Sequence, residues 1–165
     1  MNPSNRIAVC PGSYDPVTYG HVDVIQRASA MFDKVIVAVV NLPHRKGGTV
    51  FTAEERVGFL ENATRSIGNV VVETFSILVV EFARRHGAKA IVKGLRAISD
   101  FEYELEMAQL NRREDPEIES VYLMASPQYS FIRSSGVKEL ATFGGSIENL
   151  VPEEVAVALK ERLGR

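Results

Sequence analysis

The chain has 165 residues, enough for one domain with a proper core (1–165) and too few for two. Its net charge of -2 rules out a global basic field for nucleic acid or anionic membranes, so any anion site must be a local cluster of cations. Cys10 is the only cysteine, which excludes an intramolecular disulfide and a multi-cysteine metal site and fits a reducing compartment. The start, Met1 to Arg6, is polar and short and does not read as a signal peptide. The longest apolar run, Val35 to Val40, is far too short to span a bilayer. The expectation is a cytoplasmic protein with no membrane or nucleic-acid partner.

In chain order, Ile7–Cys10 reads as a first buried strand, with Cys10 a small apolar filler. His21 to Phe32 follows with helical periodicity through Val22, Ile25, Ala28 and Phe32. Val35–Val40 is a second strand. Thr52-Ala53-Glu54-Glu55 is a capping box opening a helix through Val57 and Leu60. Val70–Val72 is a third strand, and Leu78 to His86 a helix with Gly87 as its C-cap. Ala90–Val92 and Val121–Met124 complete the strands, with a helix from Asp100 to Arg113 between them. Ser134–Phe143 and Pro152–Leu163 are the closing helices. This alternation predicts an α/β fold, a doubly wound sheet of about five mainly parallel strands flanked by helices.

In such sheets ligands bind beyond the carboxyl ends of the strands, near a switch in strand order. The segments expected there are Pro11 to Pro16, Asn41 to Lys46, Lys93 to Arg96 and Ser126 to Ser135. They bring Arg45, Lys46, Lys93, Arg96 and Arg133 to one edge, and two of them open helices whose free N–H groups attract anions. Phosphate is the natural guest of such a collar. The G-x-x-x-x-G-K-[ST] phosphate loop, G-x-G-x-x-G after the first strand, H-E-x-x-H and G-x-S-x-G are all absent.

Thr18-Tyr19-Gly20-His21 resembles the T/H-x-G-H motif of the nucleotidyltransferase superfamily, and Ile132-Arg133-Ser134-Ser135 with Lys138 its I-S-S-[ST]-x-x-[KR] motif. Around them, Pro11 to Thr18, Phe51-Thr52 with Glu54-Glu55-Arg56, Lys93 to Arg96, Asp100 to Glu104 and Tyr129 to Ile132 are similar to the bacterial phosphopantetheine adenylyltransferases. The resemblance implies a Rossmann-like fold of nucleotidyltransferase type. It also implies transfer of the adenylyl group of ATP to 4′-phosphopantetheine, giving dephospho-coenzyme A and pyrophosphate.

The nucleophile would be an already ionised phosphate. Catalysis then reduces to holding two polyanions in line and neutralising charge at the α-phosphorus. By the resemblance His21 would stabilise the transition state, with Lys93 and Arg96 assisting, and Gly20 would admit the phosphate. Ser13, Tyr14, His21, Gly94, Leu95, Arg96, Glu104 and Tyr129-Ser130-Phe131-Ile132-Arg133-Ser134-Ser135 would lie along ATP. Ser13, Arg45, Val79 and Lys93 would meet 4′-phosphopantetheine, with Lys46 the alternative to Arg45. Arg133 stands where the family commonly has serine, and either adds a phosphate contact or points outward. ATP chemistry implies Mg²⁺, for which no protein ligands can be read. The resemblance further suggests a homohexamer and coenzyme A as a feedback ligand. Rival readings are adenylylation of nicotinate mononucleotide, cytidylylation of a small phospho-alcohol, a nucleotide-binding regulatory module without catalysis, and a purely structural α/β domain.

Overall fold

The computed structural model describes residues 5–42 and 48–164. Arg45 and Lys46, expected to face the acceptor substrate, lie outside the described residues. Five parallel strands, β1 (Ile7–Gly12), β2 (Lys34–Val40), β3 (Val70–Phe75), β4 (Ala90–Leu95) and β5 (Glu119–Met124), form one sheet in the order β3-β2-β1-β4-β5. The helices are α1 (Tyr19–Met31), α2 (Ala53–Thr64), α3 (Val79–Arg85), α4 (Ile98–Glu114), α5 (Ser134–Thr142) and α6 (Glu153–Leu163), with a short 3-10 turn at Pro127–Tyr129. Successive strands step outward from β1 in one direction and then restart on its other side at β4. The chain leaving β1 and the chain leaving β4 therefore diverge, which opens a crevice above these two strands.

The side-chain period of two divides the core. Ala8, Cys10, Val35, Val37 and Val39 pack on one face with Ile25 of α1, Leu60 of α2, Val137 of α5 and Leu159 of α6. Val9, Ile36 and Ala38 pack on the other with Val80, Phe82 and Ala83 of α3. Both faces are covered, so β1 and β2 read as continuous apolar runs rather than alternating ones. Cys10 is buried, and burial pushes its thiol up to about 12, as befits an apolar filler.

Several elements run past their apolar cores. β1 continues through Pro11 and Gly12, paired with Ala38 and Val39. β4 continues through Lys93, Gly94 and Leu95, opposite Tyr122, Leu123 and Met124. The expected loop after the fourth strand is thus corrected: these three residues belong to the strand, and Arg96 follows it. The ladder needs only backbone N–H and C=O groups, so it does not stop where hydrophobicity does.

The end signals work as their chemistry requires. Thr52 Oγ1 accepts from the Glu55 N–H at 3.2 Å while Glu55 Oε2 accepts from the Thr52 N–H at 2.8 Å. Gly87 takes φ +66 just past α3, and the Ala88 N–H reaches back to the Ala83 carbonyl at 2.9 Å.

Glu55 is used twice. Besides capping α2 it receives both Arg162 Nη1 and Nη2, at 2.8 and 2.7 Å, so α6 is latched onto α2. The Arg162 hydrogen bonds, and then the Thr52 N–H, hold the Glu55 carboxyl at about 2. A depressed carboxyl contributes stability that is complete above its ordinary value of 4.5 and is lost as pH falls through about 2. The latch is partly solvated, so its contribution is small. Glu55→Gln is expected to melt lower than the parent at pH 7, with the gap closing as pH approaches 2; scanning calorimetry against pH reads this, and a gap independent of pH would refute it.

Candidate active site

The site grows out of the turn after β1. Tyr14 adopts φ 50, and its side chain folds back so that the hydroxyl donates to the Cys10 carbonyl at 2.8 Å. The ring passes beneath Gly12, where a Cβ would stand 2.9 Å from Tyr14 Cε2. Gly12 is therefore required by the protein's own packing. Gly20 is different: a Cβ there would meet only ordinary contacts, the nearest being Thr18 Oγ1 at 3.5 Å.

Thr18 caps α1 in a capping box whose third residue is histidine instead of the usual Glu or Gln. His21 Nδ1 accepts the Thr18 N–H at 3.0 Å. A nitrogen that accepts carries no proton, so the neutral ring holds its proton on Nε2. Burial, followed by the positive charge of Arg96, lowers the imidazole to about 4, so it stays neutral at physiological pH. The Tyr14 ring braces it edge-on, centroids 5.0 Å apart. The result is a fixed, uncharged N–H donor.

Two cavities meet at this histidine, for Ser13, Tyr14 and His21 line both. The first, about 420 Å³, is lined by Val79, Lys93, Gly94, Arg96, Glu104, Tyr129 and Ile132 among others. The second, about 700 Å³, lies on the α2 and α5 side and includes Asp15, Thr52, Arg56, Ser134 and Lys138. They are two lobes of one cleft with His21 at the waist.

Three of the cations in the cleft, Lys93, Arg96 and Lys138, are held by carboxylates. Lys93 Nζ bonds Glu104 Oε1. Arg96 Nε bonds Asp100 Oδ2 at 3.1 Å, and Arg96 Nη1 donates to the Ile132 carbonyl at 2.9 Å. Lys138 Nζ lies 3.2 Å from Asp15 Oδ2. Asp15 also accepts the N–H groups of Val50 and Phe51, both at 3.0 Å, fixing the approach to α2. Ser134 Oγ donates to the Pro16 carbonyl at 2.8 Å, and no side chain caps α5 among the described residues.

Not every expected residue reaches the cleft. Leu95 is buried in β4, and its carbonyl accepts from the Ala125 N–H at 2.7 Å. Ser130 and Ser135 are exposed outside both lobes, and Ser130 Oγ donates to the Pro127 carbonyl. Phe131, 71% exposed, and Arg133 line a separate hollow with Leu140 and Phe143, so of the two options for Arg133 the outward one is observed. Glu104, in contrast, is buried, while its helix neighbours Glu102 and Glu106 are exposed.

Among the residues to which the sequence alone assigns no role, two shape the turn after β1. One is Asp15; the other is Arg56, almost fully buried, whose Nη1 donates to the Ser13 carbonyl at 2.6 Å and to the Val40 carbonyl at 2.9 Å, while Nε reaches the Thr52 carbonyl at 3.3 Å. One guanidinium thus ties the ends of β1 and β2 to the start of α2. A charged residue directly after a capping box, where an amphipathic helix turns inward, was the available signal.

Gly94 has a packing reason to lack a side chain: a Cβ there would lie 2.9 Å from Val24 Cγ2 on α1. Gly94→Ala is expected to cost about 1–3 kcal/mol by pushing β4 from α1. Val24→Ala in the same chain should recover most of it, as urea unfolding would show; no recovery would mean the clash is not the cause.

A crevice at a strand-order switch, a histidine at a helix mouth and cations on both sides of it define a nucleotidyltransferase-type site. The family profile described as cytidylyltransferase-like matches residues 9–140. Curated relatives named phosphopantetheine adenylyltransferase are similar over nearly the whole chain. That of Clostridium kluyveri is 49% identical over 158 residues, 96% of this chain and 95% of the relative. That of Caldanaerobacter subterraneus subsp. tengcongensis is 48% identical over 95% and 97%, and that of Clostridium novyi 46% identical over 97% and 98%. The chain belongs to the phosphopantetheine adenylyltransferase family.

Proposed function

We propose that the chain transfers the adenylyl group of ATP to 4′-phosphopantetheine, yielding dephospho-coenzyme A and pyrophosphate, within coenzyme A biosynthesis. The observation that carries this is the neutral Nε2–H donor of His21, set between one lobe lined by Lys93 and Arg96 and another lined by Arg56 and Lys138. In the reaction an oxygen of the acceptor phosphate bonds to the α-phosphorus of ATP. The bond from that phosphorus to the bridging oxygen of the β-phosphate breaks, and its electron pair leaves with pyrophosphate. No proton need be removed from the nucleophile, which explains a site without a general base.

His21 donates to the α-phosphate as charge gathers there. ATP lies along Gly94, Arg96, Tyr129 and Ile132, against the backbone of Ser13 and Tyr14, with its phosphates toward Ser134 and the open N–H groups of α5. The acceptor phosphate meets Lys93 and Ser13, and its long uncharged arm runs along the apolar wall that Val79, Met107 and Tyr122 offer. Arg45 is assigned to the same phosphate on resemblance.

Among the described residues no three His, Cys, Asp or Glu side chains cluster to hold a metal, and Asp15, Asp100 and Glu104 are already paired with cations. Mg²⁺ would enter with the nucleotide, where it would neutralise charge on the phosphates. A homohexamer in the cytoplasm, with coenzyme A as feedback ligand, completes the reading. The exposed apolar side chains Ile98, Phe101 and Leu105 along α4 favour self-association, and no described helix is long and apolar enough to cross a membrane.

Pyrophosphate release is expected with ATP and 4′-phosphopantetheine and not with ATP and nicotinate mononucleotide. Equal rates with both acceptors, or none with either, would overturn the assignment.

A further inference from the structure

We propose that Asp23 is a positioning residue for the nucleotide lobe, holding the loop after β5 in place through the Ser126 hydroxyl; the role rests on the reaction proposed above. Asp23 lines neither lobe of the cleft, so it acts through other groups. Ser126 Oγ donates to Asp23 Oδ2 at 2.8 Å, across 103 positions of chain. The same oxygen accepts from Arg27 Nη1 at 3.2 Å, one helical turn further along α1. That nitrogen also donates to the Met124 carbonyl at 2.7 Å. The last residue of β5 and the residue that opens the Pro127–Tyr129 turn are therefore both fastened to α1.

A serine in front of a helical turn usually accepts an N–H of that turn. Ser126 makes no such cap, and its proton goes to the Asp23 carboxylate, the stronger kind of hydrogen bond. The loop needs this fastening because it has little core of its own. Pro127, Gln128, Ser130 and Phe131 are exposed, whereas Tyr129 and Ile132 line the first lobe. Its far end is tied by Arg96 Nη1, which donates to the Ile132 carbonyl at 2.9 Å. Between the two ties the Tyr129 backbone lies against the start of α1: a Cβ on Gly20 would stand 3.7 Å from the Tyr129 carbonyl oxygen. On β4, a Cβ on Gly94 would stand 2.9 Å from Val24 Cγ2, so α1 also presses on that strand. One helix thus spaces the two walls that receive the nucleotide, and Asp23 is its polar grip on the loop.

The test is steady-state kinetics of the full chain with each substrate varied in turn, with melting temperature followed by circular dichroism. Asp23→Ala is expected to raise KM for ATP about fivefold, because the loop must then be ordered on binding, and to leave kcat and KM for 4′-phosphopantetheine within about twofold. The melting temperature should stay within about 3 °C, since the bonds lost are partly solvated. Asp23→Asn keeps an oxygen for the hydroxyl and should hold KM for ATP within about twofold of the parent. In a Ser126→Ala background Asp23→Ala should add less than about twofold, because the group it positions is gone. A rise shared equally by both KM values, an unchanged ATP KM in Asp23→Ala, or a fivefold penalty that persists without the Ser126 hydroxyl would overturn the role while the reaction stands. No turnover by the parent chain would overturn the reaction and this role together. Should Asp23→Ala not fold, Ser126→Ala decides: it should raise KM for ATP and not KM for the acceptor, and an unchanged ATP KM refutes the grip.

Discussion

His21→Ala is expected to lower turnover by about 10²–10³-fold, the usual cost of removing one donor aimed at developing charge. Alanine confounds two losses, because His21 also completes the cap of α1 through Nδ1. That part costs about 0.5–2 kcal/mol of stability. His21→Gln separates them. Glutamine is an ordinary third residue of a capping box, so its carbonyl can take the Thr18 N–H and restore the melting temperature. With that oxygen committed, the amide does not reproduce the Nε2–H direction, and turnover stays low. Pyrophosphate release and thermal melts on both variants read the two effects independently. Near-parental turnover in His21→Gln would remove the histidine from the chemistry.

The largest stability effect is expected at Arg56. Arg56→Met leaves the carbonyls of Ser13 and Val40, at the part-buried ends of β1 and β2, without the donor seen here, whereas the Thr52 carbonyl keeps its helical partner, the Arg56 backbone N–H. Two charge-assisted bonds and the packing of a nearly buried side chain are lost together, at a cost of about 3–5 kcal/mol. For a chain of this size that is a fall of roughly 10 °C in melting temperature. Arg56→Lys keeps the charge but not the fork that spans three carbonyls, so it should recover only part. Because the Ser13 peptide loses its anchor, both variants should also turn over more slowly at a temperature where they remain folded. Full stability in Arg56→Met would show that other contacts hold the turn.

The sheet was legible from the sequence because β1 and β2 are covered on both faces, and their apolar runs stand out against the helical segments. Ends were less legible. The run Ala90–Val92 stops at Lys93, yet the ladder continues to Leu95, since its hydrogen bonds are indifferent to side chains. Of the candidate site, His21, Ser13, Lys93, Arg96 and Ser134 could be placed because local motifs carry them. The pairings that aim these groups could not. Asp15 meets Lys138 across 123 positions, and Arg56 meets Ser13 across 43. Such contacts are set by which loops the strand order brings together, and no local periodicity encodes that. Phe131 and Arg133 fail for a related reason: the motif lists consecutive residues, but the turn after Tyr129 sends their side chains to the outer surface while Ile132 points in.

An imidazole lowered to about 4 is already largely neutral from pH 5 upward, so His21 does not set an acid limb between pH 5 and 7. The attacking phosphate ester does lose its second proton in that interval, near pH 6. A rate that climbs from mild acid to neutrality is then expected to follow the charge on the substrate and not the charge on this histidine.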